Sequence, residues 1–152
     1  MSDQVTVERV IPAEPDVIFD LLAHPERHHE FDGSGTVRNS RATGRRVGLG
    51  DSFGMDMKWG VPYFTHNVVR EYDEGRLIAW QTLAPAPLDR VFTGRTWRYE
   101  LTPVDGGTLV RETWDVSTER PLTRAFIRTR MSGLTRKNMR LTLERLEAAV
   151  AG

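Results

Sequence analysis

The hydrophobic period of the chain changes once, and this change constrains the fold more than any other feature. Between residues 36 and 117, apolar and polar side chains alternate with a period of two, which is typical of half-buried β-strands. In the last thirty or so residues, apolar side chains instead recur every three to five positions, which is typical of an amphipathic helix. The sequence therefore predicts an α+β protein in which a set of strands precedes one long helix.

About seven strands are predicted, and short turns join most of them. The sequences at 73–75 and 105–107 combine Asp and Gly in the manner of hairpin connections, and the Trp-Gly-Val-Pro sequence at 59–62 also predicts a turn. Consecutive strands should therefore pair antiparallel. The predicted strands cover residues 4–11, 36–40, 51–59, 63–72, 76–83, 93–103 and 108–117.

Two short helices and one long helix complete the prediction. Pro15 suits the first position of a helix, and Pro25 should end that helix at His24 and open a second one that runs to about Phe31. At about 1.5 Å per residue the C-terminal helix would run on the order of 40 Å, which is long enough to cross a small sheet. Its expected apolar stripe is Leu122, Phe126, Met131, Leu134, Met139, Leu143, Leu146 and Val150.

Composition limits the classes of function. A chain of 152 residues with 39% hydrophobic residues and no Cys fits one globular domain, 1–152, that folds without disulfides or thiol nucleophiles. The sequence shows no secretory signal and no long apolar stretch, so we expect a cytoplasmic protein with no stable membrane insertion. The formal net charge of +0 argues against general binding to polyanions, so no nucleic acid partner is expected.

Glu112 is the candidate functional residue with the clearest pattern. In the strand at 108–117 it shares its parity with Val110, Trp114 and Val116, so it should point to the apolar side. An ionised carboxylate on that side needs a partner, water or a polar ligand. Two interpretations stay open: Glu112 lies in a cavity that receives a ligand, or it pairs with an arginine and has only a structural role.

The same alternation places other side chains on the inner surface. A concave sheet against one helix leaves space that ordinary side chains do not fill, and we expect a pocket in the middle, near Gly133. The alternative is an ordinary packed core. The candidate ligand-binding residues are Phe53, Met55, Met57, His66, Asn67, Ile78, Trp80, Trp97, Tyr99, Leu101, Val110, Glu112, Trp114, Met131, Leu134 and Met139.

The strand at 63–72 has no clear phase. One parity carries His66 and the other carries Asn67, and each parity also carries apolar residues. We keep both as candidates, because either would orient a ligand carbonyl or hydroxyl beside Tyr99 and Glu112. The alternative is that the outward side chain is merely solvated and the inward one is a satisfied core group.

Other types of site find little support. His24, His28 and His29 lie close together, but Pro25 makes His24 a helix cap and the spacing matches no known metal motif, so no metal site is predicted. The chain has no GxSxG elbow, no P-loop and no GxGxxG sequence. We therefore predict no cofactor and no nucleophilic triad.

The C-terminal helix is rich in arginine. A basic helix face meets an acidic partner or a lipid surface in some proteins, but more often it is solvated and its arginine stems cover apolar surface. Both interpretations stay open. The basic residues are Arg120, Arg124, Arg128, Arg130, Arg136, Lys137, Arg140 and Arg145.

Three stretches carry a family resemblance: AEPDVIFDLL at 13–22, EFDGSG at 30–35, and WRYEL at 97–101 with the hairpin at 104–113. Together with the order of elements, they make the chain resemble the START-like, or SRPBCC, superfamily of polyketide cyclases, dehydrases and lipid transport proteins along nearly its whole length. The resemblance implies a helix-grip fold, in which a curved antiparallel sheet grips the final helix around a mostly apolar cavity. It does not imply one reaction, because carriers, sensors and cyclases share the fold.

Three functions fit these observations. The first is binding of a small hydrophobic ligand, lipid-like or polyketide-like, by a monomer or homodimer. The second is an aromatase- or cyclase-like enzyme in which Glu112 is the general base and Tyr99 or His66 donates a hydrogen bond to a developing enolate. The third is a regulatory or interaction protein that uses the basic face of the C-terminal helix.

Overall fold

The sheet is antiparallel throughout, with seven strands in the order β1-β7-β6-β5-β4-β3-β2. This arrangement is seen in a computed structural model, which describes residues 3–33, 37–40, 46–59 and 61–151. Strands β2 to β7 pair with their neighbours in sequence, and β1 adds to the free edge of β7. The strands are β1 Gln4–Ile11, β2 Val37–Ser40, β3 Ser52–Trp59, β4 Val61–Asp73, β5 Leu77–Leu83, β6 Arg95–Val104 and β7 Gly107–Asp115.

Two α-helices flank the sheet. Helix α1 spans Pro15–Leu22, and α2 spans Pro121–Ala151. Both begin with proline at the first helical position, where the missing N–H leaves no donor unpaired. Short 3₁₀ helices cover Pro25–Glu30, directly after α1, and Leu88–Arg90, between β5 and β6. The helix-grip fold that the sequence predicts is therefore confirmed, with its seven strands and its long final helix.

The alternation of the strands sorts side chains between two faces of the sheet. Register pairs Trp80 with Trp97, Trp97 with Trp114, and Tyr99 with Glu112, so these side chains stand on the same, concave face. Helices α1 and α2 cover that face, and the buried core lies between them and the sheet. The opposite face is polar and carries ion pairs such as Arg98 with Glu71.

Helix α2 buries only part of the predicted stripe, namely Met139, Leu143 and Leu146. Its buried residues include Ile127, Met139, Leu143 and Leu146, whereas Leu122, Phe126 and Leu134 are 88%, 58% and 54% exposed, so the prediction for these three is wrong. Neighbouring residues on a helix differ by about 100° in direction because 3.6 residues make one turn. Residues spaced at varying intervals of three to five therefore do not all lie on one side of the helix. In the first half of the helix the buried residue is Ile127, whereas Phe126, one position before it, is exposed.

The loop after the first 3₁₀ helix rests directly on α2 at Gly33. A Cβ atom at this position would overlap Asn138 O and lie 2.6 Å from Thr142 N, so only glycine permits this approach. The Gly33 N–H donates a hydrogen bond of 2.8 Å to Thr142 Oγ1, which fixes the contact. This contact locks the middle of α2 against the part of the chain that follows α1.

Several predicted boundaries differ from the structure by a few residues. Of the residues in the turn expected at 59–62, Trp59 belongs to β3 and Val61 and Pro62 belong to β4, where Trp59 pairs with Val61 and Lys58 with Pro62. The first helix ends at Leu22, not at His24. Thr36, at the start of a predicted strand, and Ser34, Gly35 and Gly60, in predicted turns, lie outside the described residues.

Candidate ligand site on the concave face

Glu112 lies on the concave face and is only 1% exposed. Its register partner on β6 is Tyr99, whose hydroxyl donates a hydrogen bond of 2.7 Å to Glu112 Oε2. The other oxygen, Oε1, is buried and accepts no hydrogen bond from the described part of the chain. No arginine or lysine among the described residues forms an ion pair with Glu112, so the structural pairing considered above is not what the structure shows.

Burial controls the protonation of this pair. The pKa of Glu112 is raised from 4.5 to about 8, chiefly because burial removes the carboxyl group from water. The Tyr99 hydrogen bond lowers this pKa, and the negative charge of Asp32 raises it. The pKa of Tyr99 is raised well above its ordinary value, chiefly by burial and then by the charge of Glu112. At neutral pH most Glu112 side chains are therefore protonated, and the carboxyl group is able to donate as well as accept.

An aromatic stack leads away from Tyr99 across the concave face. The Trp80 ring stacks on Tyr99 at 5.5 Å between centroids, and His28 stacks on Trp80 at 4.8 Å. Phe53 meets His28 and Trp80 edge to face. These contacts form a continuous aromatic layer from β6 to the segment after α1.

His28 belongs to this layer and was not among the predicted site residues. Burial lowers its pKa to about 4, so the imidazole is neutral at physiological pH, and Nε2 donates to the carbonyl oxygen of Leu22 at 2.8 Å. From the sequence, His28 was interpreted together with His24 and His29 as a helix cap or a solvated residue. Its position within the first 3₁₀ helix, with its ring towards the sheet, follows from tertiary packing.

Strand β4 has no single phase because it contains a register shift between Val69 and Glu71. Thr65, Asn67 and Val69 are buried, and after the shift the inward residue is Tyr72, whose ring packs on Phe19. His66 is exposed on the outer face. Of the two polar candidates on this strand, only Asn67 lies on the concave face.

Asn67 is fully engaged by its neighbours. Its amide nitrogen donates to Thr65 Oγ1 at 3.3 Å and to the Phe53 carbonyl at 3.4 Å, and its oxygen accepts from Thr82 Oγ1 at 2.7 Å. A buried amide with all these bonds is stable without a ligand. Asn67 therefore holds neighbouring strands together and presents Thr82 towards the end of the concave face.

The remaining predicted lining residues divide by burial. Met57, Trp97 and Met131 are partly exposed and pack on the edge of the core, whereas Leu134 lies on the solvent side of α2. The buried ones are Phe53, Met55, Ile78, Trp80, Tyr99, Leu101, Val110, Trp114 and Met139.

One end of the concave face stays accessible to solvent, and we call it the open end. It consists of the partly exposed side chains of Met57, Tyr63, Thr82, Arg95 and Trp97, which all have the inward phase of their strands. Tyr63, Thr82 and Arg95 were not predicted as site residues. For Arg95 a signal was available, because it shares the parity of Trp97 and Tyr99 in the predicted strand at 93–103.

The described part of the surface includes two clefts that bear on the predicted site. One of about 330 Å³ lies on the outer side of α2 and is lined by Gly133, Arg136, Lys137, Arg140, Leu141 and Glu144. The other, of about 620 Å³, lies around the β6–β7 turn and Pro12. Neither reaches Glu112. The expectation of a pocket beneath Gly133 is wrong, because this residue faces outwards and the space beside it is on the solvent side of α2.

The arginines of α2 are partly used in holding the helix in place. Arg128 Nη1 lies 2.8 Å from Asp3 Oδ1, and Arg124 Nε lies 3.8 Å from the same oxygen. Arg136 and Arg145 donate to the backbone oxygens of Thr6 and Asp32. These four residues anchor α2 to the start of the chain and to the loop after the first 3₁₀ helix.

Comparison with known proteins agrees with this architecture. The family described as polyketide cyclase / dehydrase and lipid transport matches residues 2–151. The chain belongs to this family. Protein Rv0088 of Mycobacterium tuberculosis is 34% identical over 112 residues, which cover 72% of this chain and 45% of that protein, so the match spans about half the length of the relative.

Solved structures share the fold at low sequence identity. Protein CV1439 from Chromobacterium violaceum superposes with a TM-score of 0.75 at 12% identity, over 100% of this chain and 99% of that one. Major latex-like protein 151 from Panax ginseng superposes with a TM-score of 0.64 at 12% identity, over 96% and 95% of the two chains. At such identities the likeness concerns the fold alone. Within the described ranges, no helix has both the length and the apolar character that crossing a bilayer requires.

Proposed function

We propose that this member of the family binds a small, mostly apolar molecule between the concave face of the sheet and α2. The observation that carries the proposal is Glu112, a carboxyl group that is 1% exposed and keeps Oε1 without a hydrogen-bond partner in the described structure. A buried polar atom left without a partner costs about 1–3 kcal/mol. A ligand hydroxyl or carbonyl at this position would remove that cost.

The protonation state of Glu112 determines which ligand groups can bind to it. Because its pKa is raised to about 8 by burial, the carboxyl group is mostly neutral at pH 7 and donates from one oxygen while it accepts from Tyr99 at the other. It therefore suits an uncharged acceptor such as a ketone, ester or aromatic hydroxyl. The aromatic layer of Trp80, Phe53 and Tyr99 would contribute affinity by burying apolar surface, at about 25 cal/mol per Å² before ordering costs.

The open end supplies a route to this site. Met57 is partly exposed there, and methionine side chains change rotamer easily, so this side chain is able to move aside. Glu112 Oε1 itself is covered by side chains in the unliganded fold. Binding therefore requires rearrangement of the aromatic layer, and the bound state should differ from the free state in the fluorescence of Trp80 and Trp97.

The test combines native mass spectrometry of the protein purified from its own host with thermal-shift screening of apolar ketones, fatty acids and aromatic polyketides. We expect a co-purified ligand in the mass spectrum or a compound that raises the Tm. The affinity of the protein for this compound should fall about tenfold in Glu112→Gln. Glu8→Gln is the matched control, because Glu8 is exposed on the outer face of β1 and pairs with Arg111. A clean unliganded mass together with no thermal shift from any compound would contradict the proposal.

An enzymatic role at the same site is a second candidate. It is favoured by one observation, the raised pKa of about 8 for Glu112, which suits a group that takes up or releases a proton near neutral pH. Tyr99 would then hold the carboxyl group in position. With a reactive polyketone as substrate, Glu112→Gln should lower turnover by at least a hundredfold at saturating substrate, where the tenfold loss of affinity no longer matters. Unchanged turnover would remove Glu112 from any such mechanism.

A further inference from the structure

Arg95 is the side chain at the open end with the least satisfied hydrogen-bonding capacity. It pairs in register with Thr82 on β5 and shares the inward phase of Trp97 and Tyr99 on β6. Its side chain is 28% exposed, and burial lowers the pKa of its guanidinium below the usual value. The group is therefore partly removed from water and yet reachable from the open end.

The guanidinium of Arg95 forms no hydrogen bond to any described residue. Its nearest carboxylate is Glu119, with 3.9 Å between Arg95 Nε and Glu119 Oε1. Glu119 cannot close this distance freely, because its other oxygen accepts a hydrogen bond of 2.8 Å from the Thr93 N–H. Glu119 thus balances the charge of Arg95 without supplying acceptors to its N–H groups.

Other arginines of the sheet show what a satisfied guanidinium looks like in this protein. Arg98, also on β6 but on the outer face, makes two hydrogen bonds to Glu71, at 2.9 Å and 2.6 Å. Arg9, on β1, makes two hydrogen bonds to Glu147 of α2. A guanidinium presents five N–H donors in a rigid fork that matches a carboxylate. Among the described residues, Arg95 meets only Glu119, at 3.9 Å, and none of its N–H groups donates a hydrogen bond.

We propose that Arg95 binds the carboxylate of an amphipathic organic acid whose apolar body extends along β6 towards Tyr99 and Glu112. This inference rests on the proposed function and names the class of ligand. Thr82 is the register partner of Arg95 on β5, but its hydroxyl already donates to Asn67 Oδ1. Tyr63, which has the inward phase of β4, carries a further hydroxyl group at the open end.

The two ends of this site differ in charge, and this difference orients the ligand. Glu112 and Tyr99 form a neutral end at pH 7, and a second anionic group there would meet the negative charge of Asp32. Tyr99 follows Arg95 by four positions on β6, which corresponds to about 13 Å at roughly 3.3 Å per residue. The ligand that fits is a monocarboxylic acid with an extended or flat apolar body of about that length. Its carboxylate lies at the open end.

The test compares decanoic acid with decanol, which share an apolar chain and differ in the head group. Isothermal titration calorimetry at pH 7 should show that the wild-type protein binds decanoate at least tenfold more tightly than decanol. Arg95→Gln should remove this preference, and Arg95→Lys should reduce it severalfold, because lysine keeps the charge but not the fork. Arg98→Gln is the matched control on the outer face of the same strand and should keep the preference.

The results distinguish a failure of the Arg95 contact from a failure of ligand binding as a whole. Equal binding of decanoate and decanol by the wild-type protein would overturn the role of Arg95 and leave the proposed function standing. Binding of neither compound would count against both. If Arg95→Gln fails to fold by circular dichroism, the comparison between Arg95→Lys and Arg98→Gln decides, and an undiminished preference in Arg95→Lys would overturn the bidentate contact.

Discussion

At the scale of the residue, the protein is organised around two buried titratable groups that are neutral near pH 7. Glu112 is neutral because burial raises its pKa to about 8, and His28 is neutral because burial lowers its pKa to about 4. The inward position of Glu112 followed from simple alternation along one strand. Its hydrogen bond with Tyr99 depends on the register of β6 against β7, which sequence alternation does not set.

The raised pKa of Glu112 makes the fold more stable at lower pH. The folded state holds this proton up to about pH 8, whereas the unfolded chain releases it near 4.5, so stability is lost as pH rises between these values. We expect Glu112→Gln to lack this pH dependence. Between low pH and pH 8, the free energy of unfolding of the wild-type protein should fall by on the order of 3–5 kcal/mol more than that of Glu112→Gln. Urea unfolding from pH 5 to pH 8 measures it. Glu8→Gln is the control, and parallel profiles for the wild-type protein and Glu112→Gln would contradict the prediction.

His28 has the opposite effect on the acid side. The unfolded chain takes up its proton near pH 6.5 and the folded protein only near pH 4, so stability falls as pH drops through this window. Glutamine at this position would keep a donor for the Leu22 carbonyl without a titrating ring. His28→Gln should therefore lose less stability than the wild-type protein between pH 6.5 and 4. His29 is an exposed neighbour, so His29→Gln should lose as much stability as the wild-type protein over this pH range. If both variants show the same pH dependence of the free energy of unfolding, His28 does not cause the loss.

At the scale of the element, β4 and α2 account for the largest differences between the predicted and the observed structure. The register shift of β4 moves the inward phase from odd to even residues, so no single parity describes the strand. In α2 the buried stripe is selected by where the helix meets β1, α1 and the loop at Gly33, and not by the hydrophobicity of Leu122 or Phe126.

Two glycines near α2 should respond in opposite ways to alanine. Gly33→Ala would push a Cβ into the backbone of α2 at Asn138 and Thr142 and should destabilise the fold by about 1–3 kcal/mol. Gly133 has open space around its Cβ position in an exposed part of the helix, so Gly133→Ala should stabilise by about 0.5–1 kcal/mol. Denaturant midpoints of the two variants test both statements. Equal changes of the same sign would show that Gly33 does not hold the loop against α2.

At the scale of the whole molecule, the sheet and α2 enclose a face that is closed around Glu112 and open around Arg95. A ligand that fills this face binds the folded state alone, so it must stabilise the whole fold by mass action. At a ligand concentration of a hundred times Kd the gain is about 2.7 kcal/mol, which corresponds to a rise in Tm of roughly 5–10 °C for a domain of this size.

Decanoate at saturating concentration is therefore expected to raise the Tm of the wild-type protein by this amount. The emission of Trp80 and Trp97, which border the site, should change in the same titration. Differential scanning calorimetry and tryptophan fluorescence provide independent readings. A shift in Tm without a fluorescence change would place the bound molecule elsewhere, for example in the cleft on the outer side of α2.

The sequence by itself determined the class of the fold, the order of its elements and the inward direction of Glu112, because these depend on local periodicity and on proline and glycine positions. Only the tertiary structure decided which side chains meet. Register joined Tyr99 to Glu112, and the pairing of β4 with β3 turned Asn67 inwards and His66 outwards, whereas the shift after Val69 turned Tyr72 inwards. Packing buried His28 and left Arg95 at the open end. These outcomes depend on contacts between distant segments, whose energies local patterns do not contain.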